Sequence, residues 1–222
     1  MATLNRRIAR ALVPYLAKLP ITPNQVTLAS LAMGLAAAWC FAHGPDGWVS
    51  GALWLQAAYV LDNCDGELAR RQGTSSGFGS WLDTVSDCVV HMAFFWTVAA
   101  GLDDGDGAWW AVGAVAAIGV FLSYAMAFAA QVHERGADAW RHPDPPAGSP
   151  PPRSAWVRFR KRWREDFSWI ILAAALAGHM AWLVVVGLLS SFAIAIDNLR
   201  TVLAPRPGMA EAVREAADGP PR

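Results

Sequence analysis

Charge is scarce in this chain. Only 16% of its 222 residues are Asp, Glu, Lys or Arg, against 55% hydrophobic residues. That balance is too apolar for an ordinary soluble domain; it is enough for one membrane domain and leaves little for a second. Net charge is absent as well, with 18 acidic and 18 basic residues, so bulk charge says nothing about partners, and no nucleic-acid partner is expected. Cysteine is nearly missing. Cys40, Cys64 and Cys88 all fall in apolar stretches, at spacings that give neither a disulfide framework nor a metal motif. Cys64 and Cys88 adjoin aspartates and read as small packing groups. No internal repeat is visible. The first apolar stretch is short and broken by Pro14 and Lys18, which argues against a secretory leader.

What is present is tryptophan and long apolar runs. Twelve tryptophans, several near expected helix ends (Trp48, Trp109, Trp110, Trp156, Trp169), suit the two interfaces of a bilayer. Residues 2–19 are basic and partly amphipathic: Leu4, Ile8, Leu12 and Leu16 recur every four residues, and Arg6, Arg7, Arg10 and Lys18 fall largely between them. The pattern predicts an interfacial helix over 1–19, kinked by Pro14. Thr22-Pro23 is a helix start, with Thr at the cap and Pro in the first position. Spans are expected over 24–42, 48–68, 80–100 and 108–130, each of a length that crosses a bilayer core. Residues 132–166 hold a Pro-rich piece and the basic run Arg158, Arg160, Lys161, Arg162, Arg164, and read as a cytoplasmic segment. The apolar stretch from Phe167 to Ile196 is too long for one span, and Gly178-His179 divides it. Span five then starts within the basic run and ends near Ala177; span six covers 180–199. The expectation is an all-α integral membrane protein of six transmembrane helices, its membrane domain over 1–203, followed by a mobile cytoplasmic tail over 204–222.

Charge distribution orients these spans. All eighteen lysines and arginines fall in the N-terminal segment, at Arg70-Arg71, in 132–166 or from Arg200 onward. Six spans put all four regions on one side. The opposite loops carry only Asp46, Asp103, Asp104 and Asp106. The positive-inside rule then places both termini in the cytoplasm. A five-span chain would split the basic loop from the basic tail.

The chemistry concentrates between Asp62 and Asp87. Asp62 and Asp65 are i,i+3 neighbours on a helix; Asp83 and Asp87 are i,i+4 neighbours. Each pair therefore leaves one helical face. The short segment from Gly73 to Gly79 reads as a tight turn between two antiparallel helices, so four carboxylates meet at one depth near the cytoplasmic face. An ionised acid at mid-membrane costs roughly 3 kcal/mol, so four together need a cation. Hard divalent ions favour such oxygen ligands, and a paired-metal site for phosphoryl transfer is the sharp reading. The bland alternative, helix-end carboxylates in water or paired with Arg70 and Arg71, suits a lone Asp better than four at this spacing.

The pattern Asp62-x2-Asp65-Gly66-x2-Ala69-Arg70-x8-Gly79-x3-Asp83-x3-Asp87 resembles the signature of the CDP-alcohol phosphotransferases at all eight fixed positions. The resemblance implies an integral membrane enzyme that transfers a substituted phosphate from a CDP-alcohol, CDP-diacylglycerol foremost, to an acceptor hydroxyl with release of CMP. It implies Mg²⁺ or Mn²⁺, as two ions, on Asp62, Asp65, Asp83 and Asp87, with Asp87 also the general base. Gly66, Ala69 and Gly79 would line the nucleotide site and Arg70 would pair with phosphate, with Arg71 a weaker candidate. It further implies membrane lipids as partners, a homodimer, and a bacterial plasma-membrane location with a cytoplasmic active site. Asn24 and Thr27 match a common family start. Arg135 and Arg164 are the acceptor-binding candidates. The stretch Gln131–Arg135 departs from the element that members making phosphatidylinositol phosphate or phosphatidylglycerol phosphate carry after span four, whereas Arg164-Glu165-Asp166 looks closer to members that join inositol phosphates. His91, one turn beyond Asp87, reads as a packed or hydrogen-bonded residue. The rival functions are a small transporter with an acidic cation site and an inactive scaffold; an acidic transport site is expected near the midplane on broken helices.

Overall fold

A computed structural model describes residues 4–136 and 167–204. Among these residues every regular element is helical: α1 (Leu4–Leu16), α2 (Pro23–Phe41), α3 (Pro45–Gln72), α4 (Gly77–Leu102), α5 (Ala108–Arg135), α6 (Phe167–Leu176) and α7 (Met180–Leu203). The expected basic segment beyond 136, the tail beyond 204, and the start of span five lie outside the described residues.

The helix starts follow local chemistry. The Thr22 hydroxyl accepts from the Gln25 N–H, and the Gln25 side chain accepts from the Thr22 N–H, with Pro23 opening α2. Ser76 caps α4 by accepting from the Gly79 N–H at 3.1 Å. α3 stops where Gly73 takes a left-handed φ of 66°, and the Thr74 N–H returns to the Ala69 carbonyl. The turn is therefore shorter than expected, because Gly77–Gly79 form the first turn of α4.

Four helices, α2, α4, α5 and α7, are long and apolar enough to cross a membrane. α3 has 28 residues, but its second half carries Asp62, Asp65, Glu67, Arg70 and Arg71. Large apolar side chains such as Leu53, Ile118, Phe121, Trp182 and Leu189 stand exposed on the outer surface. An apolar exterior on this scale suits lipid rather than water.

The backbones of α3 and α4 stand apart beyond their short turn: α2 packs against both, and side chains such as Tyr59 and His91 bridge the gap. α2 can serve as this wedge because it carries Gly34, where an added Cβ would overlap both methyls of Val90 on α4. α5 packs between α4 and α7. The core joins Phe41, Leu55, Phe94, Phe95, Phe167, Ile171 and Met180 across five helices. Phe94 sits at its centre, meeting Phe41, Phe95 and Phe167 edge-on at 4.9–6.3 Å between centroids.

α1 lies on α3. Its buried face is Asn5, Ala9 and Val13, one residue on from the leucine row; Leu4 and Leu12 point outward. Asn5 sets that rotation. Its amide donates to Ser168 Oγ at 3.0 Å, and its carbonyl accepts from Gln56 and from Trp169 Nε1. A fully buried amide must be satisfied in this way, which ties α1 to α3 and α6.

Gly34→Leu is expected to lower the midpoint of thermal unfolding in detergent, through a loss of about 1–3 kcal/mol. The branched Val90 cannot swing aside, so α2 and α4 must separate. An unchanged midpoint would contradict the close α2–α4 approach.

Candidate metal centre and its cavity

The splay of α3 from α4 leaves a cavity of about 570 Å³ lined by α1, α2, α3, the turn and the start of α4. Three of the four aspartates converge on it. Carboxylate oxygens of Asp62, Asp65 and Asp83 all lie within 4.8 Å of one another. Asp62 and Asp83 are in hydrogen-bonding contact. Two carboxyl groups at that range need a shared proton or a cation between them.

Asp65 is the most buried of the three, at 6% exposure. Its two oxygens are held separately: Oδ2 accepts from the Thr27 hydroxyl of α2, and Oδ1 accepts from the Gly66 N–H. These bonds fix the carboxylate while leaving further lone pairs on each oxygen. The set offers oxygen atoms alone, close together and partly shielded from water. That fits a hard divalent cation, by the chemistry of the donors.

Asp87 stands one turn farther along α4 and outside that 4.8 Å group. Its Oδ2 lies 3.5 Å from the Tyr124 hydroxyl on α5. His91 hydrogen-bonds as expected, with Nε2 at 2.7 Å from the Tyr59 hydroxyl and Nδ1 at 2.7 Å from the Asp87 carbonyl. Asp62 and Asp87 also share a small crevice beside Ser86, whose buried hydroxyl has no partner among the described residues.

The other sequence candidates divide. Gly66, Ala69, Arg70 and Gly79 all line the cavity. A Cβ on Gly66 would meet only the Arg70 guanidinium, at 3.5 Å, so Gly66 faces open space rather than a packed helix. A Cβ on Gly79 would press on Asn24 Oδ1 at 3.2 Å. Arg70 pairs with Glu67 at 2.9 Å, while Arg71 is exposed and absent from the lining. The Arg135 side chain and all of Arg164 lie outside the described residues.

Arg6 and Arg10 were not singled out by the sequence, yet both line the cavity from α1. Their signal was hidden because a basic amphipathic helix reads equally well as a lipid-headgroup anchor. By sequence Thr27 matches only a family start; its bond to Asp65 spans 38 positions, beyond any local pattern.

Comparison with known proteins gives a family. Residues 20–149 match the family model described as CDP-alcohol phosphatidyltransferase. A bifunctional IPC transferase and DIPP synthase of Aquifex aeolicus is 37% identical over 99 residues, 45% of this chain and 22% of that protein. A phosphatidylinositol phosphate synthase of Cutibacterium acnes is 32% identical over 128 residues, 54% of this chain and 59% of that protein. In both cases the chain spans less than two thirds of the relative's length. A crystal structure of Mycobacterium tuberculosis phosphatidylinositol phosphate synthase with CDP-DAG bound covers 90% of this chain and 94% of its own at 22% identity and a TM-score of 0.49, a likeness too slight to bear on the site.

Mn²⁺ titrated into the purified protein and followed by electron paramagnetic resonance is expected to bind. Asp65→Ala should abolish that binding, and Thr27→Val should weaken it ~10-fold or more, as loss of an orienting partner does at metal sites. Asp104→Ala, in a remote loop, serves as the control. Equal binding by all four proteins would place the ion elsewhere.

Proposed function

The chain belongs to the CDP-alcohol phosphatidyltransferase family, and from that premise we propose that it transfers a substituted phosphate from a CDP-alcohol to an acceptor hydroxyl, releasing CMP. The observation that carries the reading is the convergence of Asp62, Asp65 and Asp83 on one polar cavity. These three residues would hold the divalent ions, Mg²⁺ or Mn²⁺, with Asp87 one turn farther along α4 as the base and a further candidate ligand. Bound there, the ions polarise phosphoryl oxygens and favour the departing CMP.

The chain's own groups account for the remaining requirements. The acceptor oxygen forms a bond to the β-phosphorus of the donor, and the bond from that phosphorus to the oxygen bridging to CMP breaks. The acceptor's proton passes to Asp87, the general base. α2 and α4 both begin at the cavity, through Pro23 and Asn24 and through Ser76 and Gly79. Their positive ends favour the negative diphosphate. Gly66, Ala69 and Gly79 leave space for the nucleotide, and the exposed Arg70 can exchange its partner Glu67 for phosphate.

The donor is CDP-diacylglycerol, whose acyl chains suit the apolar exterior beside the cavity. The acceptor is a phosphorylated polyol of the inositol phosphate class. Support comes from the names of relatives, which include phosphatidylinositol phosphate synthases and an archaetidylinositol phosphate synthase 35% identical over 86 residues. Arg135 and Arg164 are assigned to that acceptor. The chain crosses a bacterial plasma membrane six times as a homodimer, with α3 and the apolar stretch that includes α6 as the two further spans. Its termini and cavity face the cytoplasm, and α1 lies at the interface with Leu4 and Leu12 toward lipid.

The test is CMP release by purified protein with Mn²⁺ or Mg²⁺ and CDP-diacylglycerol. Serine, glycerol 3-phosphate, inositol and inositol 1-phosphate are offered separately. Release is expected with inositol 1-phosphate, falling by ~10²–10⁴-fold in Asp87→Asn while donor binding persists. Normal turnover in that variant would remove the base assignment. Release with serine alone would overturn the acceptor class.

A further inference from the structure

Asp87 has two carboxylate oxygens, and a general base uses one of them. The structure accounts for the other. The Tyr124 hydroxyl of α5 lies 3.5 Å from Asp87 Oδ2 and 3.3 Å from His91 Nδ1. Bond directions follow from which atoms can only accept. The Asp87 main-chain carbonyl has no proton to give, so His91 Nδ1, 2.7 Å away, must carry one and donate it. Nε2, on the other side of the ring, is hydrogen-bonded to the Tyr59 hydroxyl at 2.7 Å. The Tyr124 hydroxyl in turn donates to Asp87 Oδ2, a carboxylate oxygen that accepts.

With both nitrogens engaged, His91 is neither a metal ligand nor a base. It is the bridge between two tyrosines from different helices. Tyr59 stands on α3 and Tyr124 on α5, and the His91 ring lies 5.9 Å from each ring centroid. His91 is also i+4 from Asp87, so the bridge is fixed to the helix that carries the acid.

We propose that Tyr124, set by the Tyr59–His91 pair, is a positioning residue that holds Asp87 Oδ2 and leaves Oδ1 to take the acceptor's proton. Such bonds are long in unliganded sites and tighten in the reacting complex. The arrangement orients the acid without occupying the oxygen that reacts, and it comes from α5, a helix that among the described residues adds nothing to the three-carboxylate cluster. The proposal rests on the assignment of Asp87 as the base.

Tyr124→Phe keeps the ring and removes the hydroxyl. Its kcat should fall ~10- to 100-fold, the scale expected for a slightly misplaced reacting group. KM for donor and acceptor, Mn²⁺ affinity and the unfolding midpoint should stay as in the parent protein. Tyr124→Phe combined with Asp87→Asn should turn over no more slowly than Asp87→Asn alone, because the hydroxyl then has nothing to orient. Tyr59→Phe, on another helix, should lower kcat by a smaller factor, again with KM unchanged. Parental kcat in Tyr124→Phe, with Asp87→Asn inactive, would overturn the positioning role and leave the base assignment standing. Independent, multiplying losses in the double variant would also overturn it. Full turnover in Asp87→Asn would remove the base assignment and this proposal with it.

Discussion

Mutual repulsion among Asp62, Asp65 and Asp83 is the constraint on which the rest of this architecture depends. Their oxygens lie within 4.8 Å of one another inside a largely apolar bundle. Leaving water costs each carboxylate several kcal/mol, and proximity to the others adds to that cost. A chain that assembles such a group must hold the acids in place and supply something positive. α2 contributes to both tasks: its Thr27 restrains Asp65, and its first turn faces the cavity.

The surrounding packing divides into rigid and open parts. Away from the cavity, Gly34 brings α2 against Val90 of α4, and the Phe94 cluster fixes α4 to α2 and α6. At the cavity it is α3 that stands away from α4, and small residues line the gap. α3 runs unbroken through Asp62 and Asp65, unlike the interrupted helices of midplane transport sites. Asn5 closes the remaining side by seating α1 so that Arg6 and Arg10 reach the cavity while Leu4 and Leu12 face outward.

Much of this was legible in the sequence, for identifiable reasons. Thr22-Pro23, Gly44-Pro45 and Gly73 are local stop and start signals, and the helices begin and end there within a few residues. The aspartate spacing is local too, so it forecast which acids share a face. What could not be read depends on distant contacts. α2 is apolar all round, so no pattern revealed that it would wedge beside both acidic helices. The rotation of α1 is set by Ser168 and Trp169, more than 160 positions away. Asp87 was grouped with the other three acids by spacing alone; its separate environment comes from Tyr124, 37 positions on.

The central claim is that Asp62, Asp65 and Asp83 form one metal centre. Crystals grown with Mn²⁺, with diffraction collected at the manganese edge, test it most directly. An anomalous peak is expected at coordinating distance from all three carboxylates. A map with no peak there, or with manganese held elsewhere on the chain while these acids face one another through protons, would contradict it.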